Sequence, residues 1–257
     1  MPEVDDSVLY TVEGKLGKIT LNRPEKRNAL NETMIAEIKS ALRSVSEDDK
    51  VRAVVLSGSG KDFCSGADLA SLERISQSSV DANSADANSL KELFVLIRQC
   101  EVPVIAAVRG RALAGGCGLA SACDLVLASA SARFGYPEVK IGFVPAMVLA
   151  FLRRNVSEKR AFELITLGEE ISAGEAYELG LVNRVFDDER FDQEVTNYVQ
   201  RFETVSKSAV SLTKTLLYQI DGLALVDALA AGADVNVIAR MTTDCRNGIT
   251  RFLGKKE

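Results

Sequence analysis

Gly115 and Gly116 stand where an apolar run gives way to a segment of small residues. Val104 to Val108 reads as a buried strand, Arg109-Gly110 as a turn, and the Ala- and Leu-rich stretch through Ala120 as a short buried helix. A helix start carries backbone N–H groups without partners and a partial positive charge. Glycine lets a ligand approach that backbone closely. Such a segment can hold an anionic oxygen with main-chain donors alone. The same pattern also suits a tight turn whose glycines serve only packing. A second segment repeats it. Ser57 to Leu69 is a long loop after a predicted strand, and a helix is expected to start near Gly66-Ala67. Ligands of parallel sheets sit beyond the C-terminal ends of the strands. Two helix starts beside neighbouring strands can therefore aim two N–H groups at one point.

The chain contains no histidine. This excludes Ser-His-Asp and Cys-His mechanisms and removes the commonest transition-metal ligand. Acid–base chemistry is left to carboxylates, Lys, Tyr, Cys or backbone. The five cysteines (Cys64, Cys100, Cys117, Cys123, Cys245) are odd in number and lack a CxxC pair. They read as reduced, mostly buried thiols of a cytoplasmic protein.

The elements that must position these segments follow from pattern. Val8–Val12 and Lys18–Leu21 form a predicted hairpin around Gly14–Gly17. Asn22 to Arg27 is a turn with three basic residues, and Asn31 is placed to cap a helix. Met34, Ile35, Ile38, Ala41, Leu42 and Val45 give that helix one apolar face. Val51–Leu56 and Cys123–Ala128 read as further buried strands, and strands alternating with helices imply an α/β fold. Ser76–Ser89 is polar and of low complexity, and is expected to be a mobile loop. Leu90–Cys100 is a predicted helix. From Ser157 the chain is mostly helical, with a capping box at Ser172–Glu175, a short extended piece at Leu181–Phe186, and helices over Arg190–Glu203, Ser206–Gln219, Leu223–Ala239 and Thr242–Leu253.

A length of 257 residues with 47% hydrophobic and 26% charged residues fits a soluble globular protein. No apolar run approaches a membrane span, and the acidic N-terminus resembles no secretory or transit peptide. The net charge of −5 and the lack of a basic block argue against a nucleic-acid partner. A local basic patch for a phosphorylated ligand remains compatible with it.

Several motifs, in this order and spacing, resemble the enoyl-CoA hydratase/isomerase, or crotonase, family. They are Asn22-Arg23-Pro24 with Asn28-Ala29-Leu30, Phe63 to Leu69, Ala107 to Ala120, Phe134-Gly135-Tyr136-Pro137-Glu138, Gly142-Phe143-Val144-Pro145, and Ala173-Gly174-Glu175-Ala176 with Gly180-Leu181-Val182. The resemblance implies a crotonase-like spiral of ββα units over residues 1–195. It implies a helical C-terminal region, 196–257 of the same domain, that assembles trimers or dimers of trimers. It implies an acyl-CoA thioester as substrate, with coenzyme A part of that substrate and no separate cofactor or metal. An enolate oxygen would then be held by the backbone N–H groups of Ala67 and Gly115, and Glu138 would carry the proton. Lys26 and Arg27 would lie near the phosphates. Ala29, Ser65, Asp68 and Leu69 would contribute further substrate contacts, Gly118 would line the acyl site, and Phe252 and Lys255 would reach a neighbouring protomer's ligand.

The chain departs from the two-carboxylate hydratase pattern at one position. Gly118 stands where such hydratases resemble one another in a first catalytic Glu. A single carboxylate suits transfer of a proton between Cα and Cγ of a 3-enoyl thioester. This favours isomerisation of 3-enoyl-CoA to 2-enoyl-CoA, with hydration of 2-enoyl-CoA in fatty-acid or branched-chain acyl-CoA breakdown as the alternative. A catalytically weak acyl-CoA-binding protein is the alternative of another class. The run Ala146–Phe151 after Pro145 makes an apolar, bulky wall.

Overall fold

The computed structural model describes residues 6–254. The chain enters as a hairpin of β1 (Val8–Glu13) and β2 (Leu16–Leu21), paired antiparallel. A 3-10 turn at Pro24–Lys26 leads to α1 (Glu32–Glu47), whose first turn is capped by the Asn31 side chain accepting from the Met34 N–H. The six apolar residues expected to face inward on α1 are all buried. Then come β3 (Ala53–Gly58), α2 (Leu69–Gln77) and α3 (Val80–Gln99).

Two turns of one spiral follow. β4 (Val104–Val108), β5 (Arg111–Leu113) and α4 (Gly115–Ala122) make the first. β6 (Leu125–Ser129), β7 (Arg133–Gly135), a 3-10 turn over Pro137–Ile141 and α5 (Ala146–Asn155) make the second. In each turn the first strand joins a large sheet, the second a small one, and a helix closes the unit. This is the ββα spiral that the sequence implies. The chain continues through α6 (Glu158–Leu167), β8 (Glu170–Ser172), α7 (Ala173–Glu178), β9 (Arg184–Phe186) and α8 (Phe191–Gln200). It ends in α9 (Lys207–Gln219), α10 (Leu225–Met241) and α11 (Thr243–Gly254).

The large sheet has the order β1-β2-β3-β4-β6-β9, and the small sheet β5-β7-β8. From β2 onward every pair in the large sheet is parallel. β4 explains its own apolar run. Val104, Ala106 and Val108 face the main core, while Ile105 and Ala107 face a second cluster under α8 with Phe191, Val195 and Val199. A strand covered on both faces has no polar side to alternate with. Among the described residues no helix is long and apolar enough to cross a membrane.

Three expectations are corrected. Ser76–Ser89 is not a loop: α2 runs through Gln77, Ser79 caps α3 by accepting from the Ala82 N–H, and α3 continues unbroken to Gln99. Ala82, Ala85 and Ala87 favour helix, and this half of α3 lies in solvent, so it needs no apolar face. The helix expected near Gly66-Ala67 begins at Leu69, with Asp68 as its cap. Within Leu181–Phe186 only Arg184–Phe186 is a strand.

Candidate active site

The Ser57–Leu69 loop reaches the small sheet through backbone bonds. The Asp62 carboxylate accepts the Arg111 N–H at 2.9 Å. The Cys64 N–H donates to the Arg111 carbonyl at 3.0 Å, and the Leu113 N–H to the Cys64 carbonyl at 2.9 Å. On the opposite side, the Leu30 N–H donates to the Gly66 carbonyl at 2.7 Å and the Asp68 N–H to the Leu30 carbonyl at 2.9 Å. In such a parallel bridge the residue between the two bonded ones points its own N–H the other way. That residue is Ala67, whose N–H has no acceptor among the described residues.

What lies on that side is the start of α4. A methyl group on Gly66 would lie 3.5 Å from the Gly115 amide nitrogen and 2.8 Å from the Ala114 Cβ. Gly66 has φ +96°, so this position needs glycine for its backbone as well as for space. Gly115 is the first residue of α4, and its N–H also has no acceptor among the described residues. Two free N–H groups, one from an extended segment and one from a helix start, thus stand side by side. The position beside Gly115 is open: a methyl group there would meet only the Leu30 side chain, at 3.7 Å.

Ala114 caps α4 with φ +50° and ψ −126°, a conformation that suits glycine. Its N–H is held by the Gly135 carbonyl at 2.8 Å. Strain of this kind costs roughly 1–3 kcal/mol. We expect Ala114→Gly to stabilise the fold by about 1 kcal/mol, after allowance for glycine's added chain entropy. Thermal or urea unfolding checks this.

Glu138 lies in the 3-10 turn after β7. It is partly buried, and its Oε2 is enclosed without a hydrogen-bond partner among the described residues. Burial raises its carboxyl above the ordinary value, opposed only by a backbone hydrogen bond. Its charge helps to raise the Cys117 thiol and the Tyr136 hydroxyl, and the turn that carries it is bonded to the start of α4 through the Gly135 carbonyl. Burial is the main cause in both, and it pushes Cys117 up to about 12. At neutral pH Cys117 is therefore a thiol and no nucleophile. The site offers one carboxyl with a raised pKa and two unpaired N–H donors.

No second carboxylate stands at position 118. A Cβ on Gly118 would fall 2.0 Å from Cγ1 and 3.0 Å from Cβ of Val148, and 3.7 Å from the Phe94 ring. Val148, buried on α5, occupies the space that a side chain at 118 would need. Phe94 and Phe151 close the wall, with ring centroids 5.3 Å apart and edge-on.

The remaining candidates divide. Lys26 and Arg27 are exposed on the turn beside this loop, and the Arg27 carbonyl accepts the Ser65 N–H at 3.0 Å. The Ser65 and Asp68 N–H groups are thus engaged within the fold. The Ala29 carbonyl accepts from Arg23 at 2.8 Å. The Asp68 carboxylate caps α2 and meets Arg23 at 2.9 Å. Burial alone would raise that carboxyl. The Arg23 hydrogen bond and charge, with the Ala70 N–H, hold it below its ordinary value. Leu69 opens α2 with its backbone. Phe252 lies on α11 and is 69% exposed, so within one chain it stays at the surface. Lys255 lies outside the described residues.

Sequence reasoning missed Val148, the partner that closes position 118, and Tyr136 and Ser121, which are buried behind the site. The bulk of Ala146–Phe151 signalled a wall without showing which residue fills the gap.

A sequence model of the family "Enoyl-CoA hydratase/isomerase" matches residues 11–257. A Thermus thermophilus protein named "Putative enoyl-CoA hydratase" is 41% identical over 95% of this chain and 96% of its own length. A Syntrophomonas wolfei protein named "Crotonyl-CoA hydratase" is 36% identical over 98% of this chain and 96% of its own. The crystal structure of an enoyl-CoA hydratase from Mycobacterium smegmatis superposes with a TM-score of 0.92 at 34% identity, covering 97% of this chain and 96% of that one. This chain is a member of the enoyl-CoA hydratase/isomerase family, with the crotonase fold and a place among its acyl-CoA enzymes.

Proposed function

We propose that this protein isomerises 3-enoyl-CoA to 2-enoyl-CoA thioesters in the cytoplasm. The thioester carbonyl sits between the Ala67 and Gly115 N–H groups. Glu138, as carboxylate, takes a proton from C2. Negative charge moves to the carbonyl oxygen, where the two donors stabilise it. One such donor contributes roughly 3–4 kcal/mol to barrier lowering. As the enolate collapses, the double bond shifts and protonated Glu138 returns the proton at C4. Atoms and charge balance without water. The observation that carries this reading is the closure of position 118 by Val148, which leaves no room there for a second carboxylate. The exposed Lys26 and Arg27 attract the phosphates of coenzyme A.

The test offers 3-hexenoyl-CoA and crotonyl-CoA separately to purified protein. Fast turnover of the first with slow hydration of the second is expected. The reverse order supports hydration, which the names of the two relatives favour. Tight binding of both esters without turnover supports the acyl-CoA-binding reading.

We also propose assembly into trimers or dimers of trimers. None of the α10 residues is buried, yet Leu225, Val226, Leu229, Val237, Ile238 and Met241 are apolar and exposed. A row of that extent on a single chain marks an interface, and further copies of the chain are its occupants. Light scattering on the wild type is expected to give three or six times 27.7 kDa. Leu229→Glu is expected to shift the mass toward the monomer. A monomeric wild type contradicts the assembly.

A further inference from the structure

We infer that Tyr136 and Ser121 form a clamp that sets the orientation of Glu138 relative to the Gly115 N–H donor on α4; this rests on Glu138 as the proton carrier. The turn that bears Glu138 is tied to α4 at both ends of that helix. At its start, the Ala114 N–H donates to the Gly135 carbonyl at 2.8 Å. This single backbone bond is a pivot. Near its end, Ser121 Oγ lies 2.9 Å from the Tyr136 hydroxyl. Ser121 donates its only hydroxyl proton to the Cys117 carbonyl at 2.7 Å, so Tyr136 must be the donor in the pair. Ala114 and Ser121 are seven residues apart along α4, about 10 Å at 1.5 Å per residue. Two tethers so far apart stop the turn from rotating about the first.

The anchor is itself fixed. The Ser121 carbonyl accepts from the Arg98 guanidinium at 3.1 Å and from Asn155 at 3.4 Å. Arg98 stacks 4.2 Å from the Tyr218 ring centroid and 5.1 Å from that of Phe151. Tyr136 and Ser121 are each only 1% exposed, so water does not compete for their bond. Tyr136 is two residues from Glu138 in the chain, and Gly115 six from Ser121. The clamp therefore fixes the acid and the Gly115 donor in one frame. Tyr136 and Ser121 are positioning residues: neither hydroxyl is placed to touch substrate.

Tyr136→Phe keeps the ring and removes the hydroxyl, leaving Ser121 its bond to Cys117. The assay uses 3-hexenoyl-CoA or crotonyl-CoA, whichever the wild type turns over. Tyr136→Phe is expected to lower kcat at least about tenfold with KM changed less than about twofold, since small misplacement of a reacting group is costly. Ser121→Ala is expected to do the same, and the double variant to be no slower than the slower single one. Thermal unfolding of each variant shows whether it is folded at the assay temperature. Glu138→Gln separates the two levels of the claim. If it is inactive while folded Tyr136→Phe and Ser121→Ala keep wild-type kcat, the clamp is overturned and the proton carrier stands. If Glu138→Gln keeps full activity, the proton carrier is overturned and the clamp falls with it. Multiplicative losses in the double variant also overturn the clamp, since the two hydroxyls then act apart.

Discussion

Glu138→Gln is expected to lower turnover by about 10²–10⁴-fold, the range for loss of a positioned general acid–base group, while making the fold more stable at neutral pH. The two effects have one cause. The unfolded chain titrates this carboxyl near its ordinary 4.5, and burial raises it in the folded state. Below 4.5 both states are protonated, and the group contributes no difference. Between 4.5 and the raised folded value, the folded state binds more protons than the unfolded one, so stability falls as pH rises. Above the folded value the carboxylate is charged, with its enclosed Oε2 lacking a partner among the described residues. The amide avoids that penalty. Unfolding temperatures of wild type and variant should therefore separate at pH 7 and converge at pH 4. The same raised value predicts an acid limb in kcat/KM above 4.5, because the carboxyl must lose its proton before taking one from C2.

Position 118 carries the second large effect. Gly118→Ala puts a methyl group 2.0 Å from Val148 Cγ1 in a packed interior. We expect a loss of about 1–3 kcal/mol from overpacking, read by urea unfolding, and recovery of most of it in Gly118→Ala with Val148→Ala. Gly118→Glu alone should be worse, since it also buries a carboxylate against Val148 and Phe94. Gly118→Glu with Val148→Gly opens the space. A second carboxylate beside Glu138 can orient water. Crotonyl-CoA hydration in that double variant should rise at least about tenfold over wild type, a modest share of what a well-placed acid–base group supplies. Wild-type hydration that already exceeds the double variant's would show that Gly118 and Val148 do not set the reaction.

The sequence made the scaffold of the site legible because its signals are local. Val104–Val108 is apolar throughout, as a strand buried on both faces must be, and glycines mark both turns that bring donors together. The α1 face was readable from spacing alone. What escaped reading depends on contacts between distant residues or on environment. Ser76–Ser89 is helical apart from the break at Ser78-Ser79, but a helix half in solvent carries no apolar period. Val148 and Gly118 are thirty residues apart, and nothing in either segment shows that one fills the other's space. Ala114 takes a left-handed conformation that its own type disfavours, held by Gly135 and by its place against Gly66. Tyr136 and Ser121 read as an ordinary aromatic and an ordinary small polar residue until the fold buries their hydroxyls together.

The central claim is that one group carries one proton from C2 to C4. Glu138 Oε2 is enclosed, and a single carrier is expected to return part of the proton it removed before exchange with water is complete. The most direct measurement is a single turnover of 3-hexenoyl-CoA deuterated at C2, run in ordinary water, with the product's C4 hydrogens read by mass spectrometry. A measurable fraction of product carrying deuterium at C4, abolished in Glu138→Gln, is the predicted result. First-turnover product whose new C4 hydrogen comes wholly from solvent would contradict the account, because the proton removed and the proton returned would then not share one carrier.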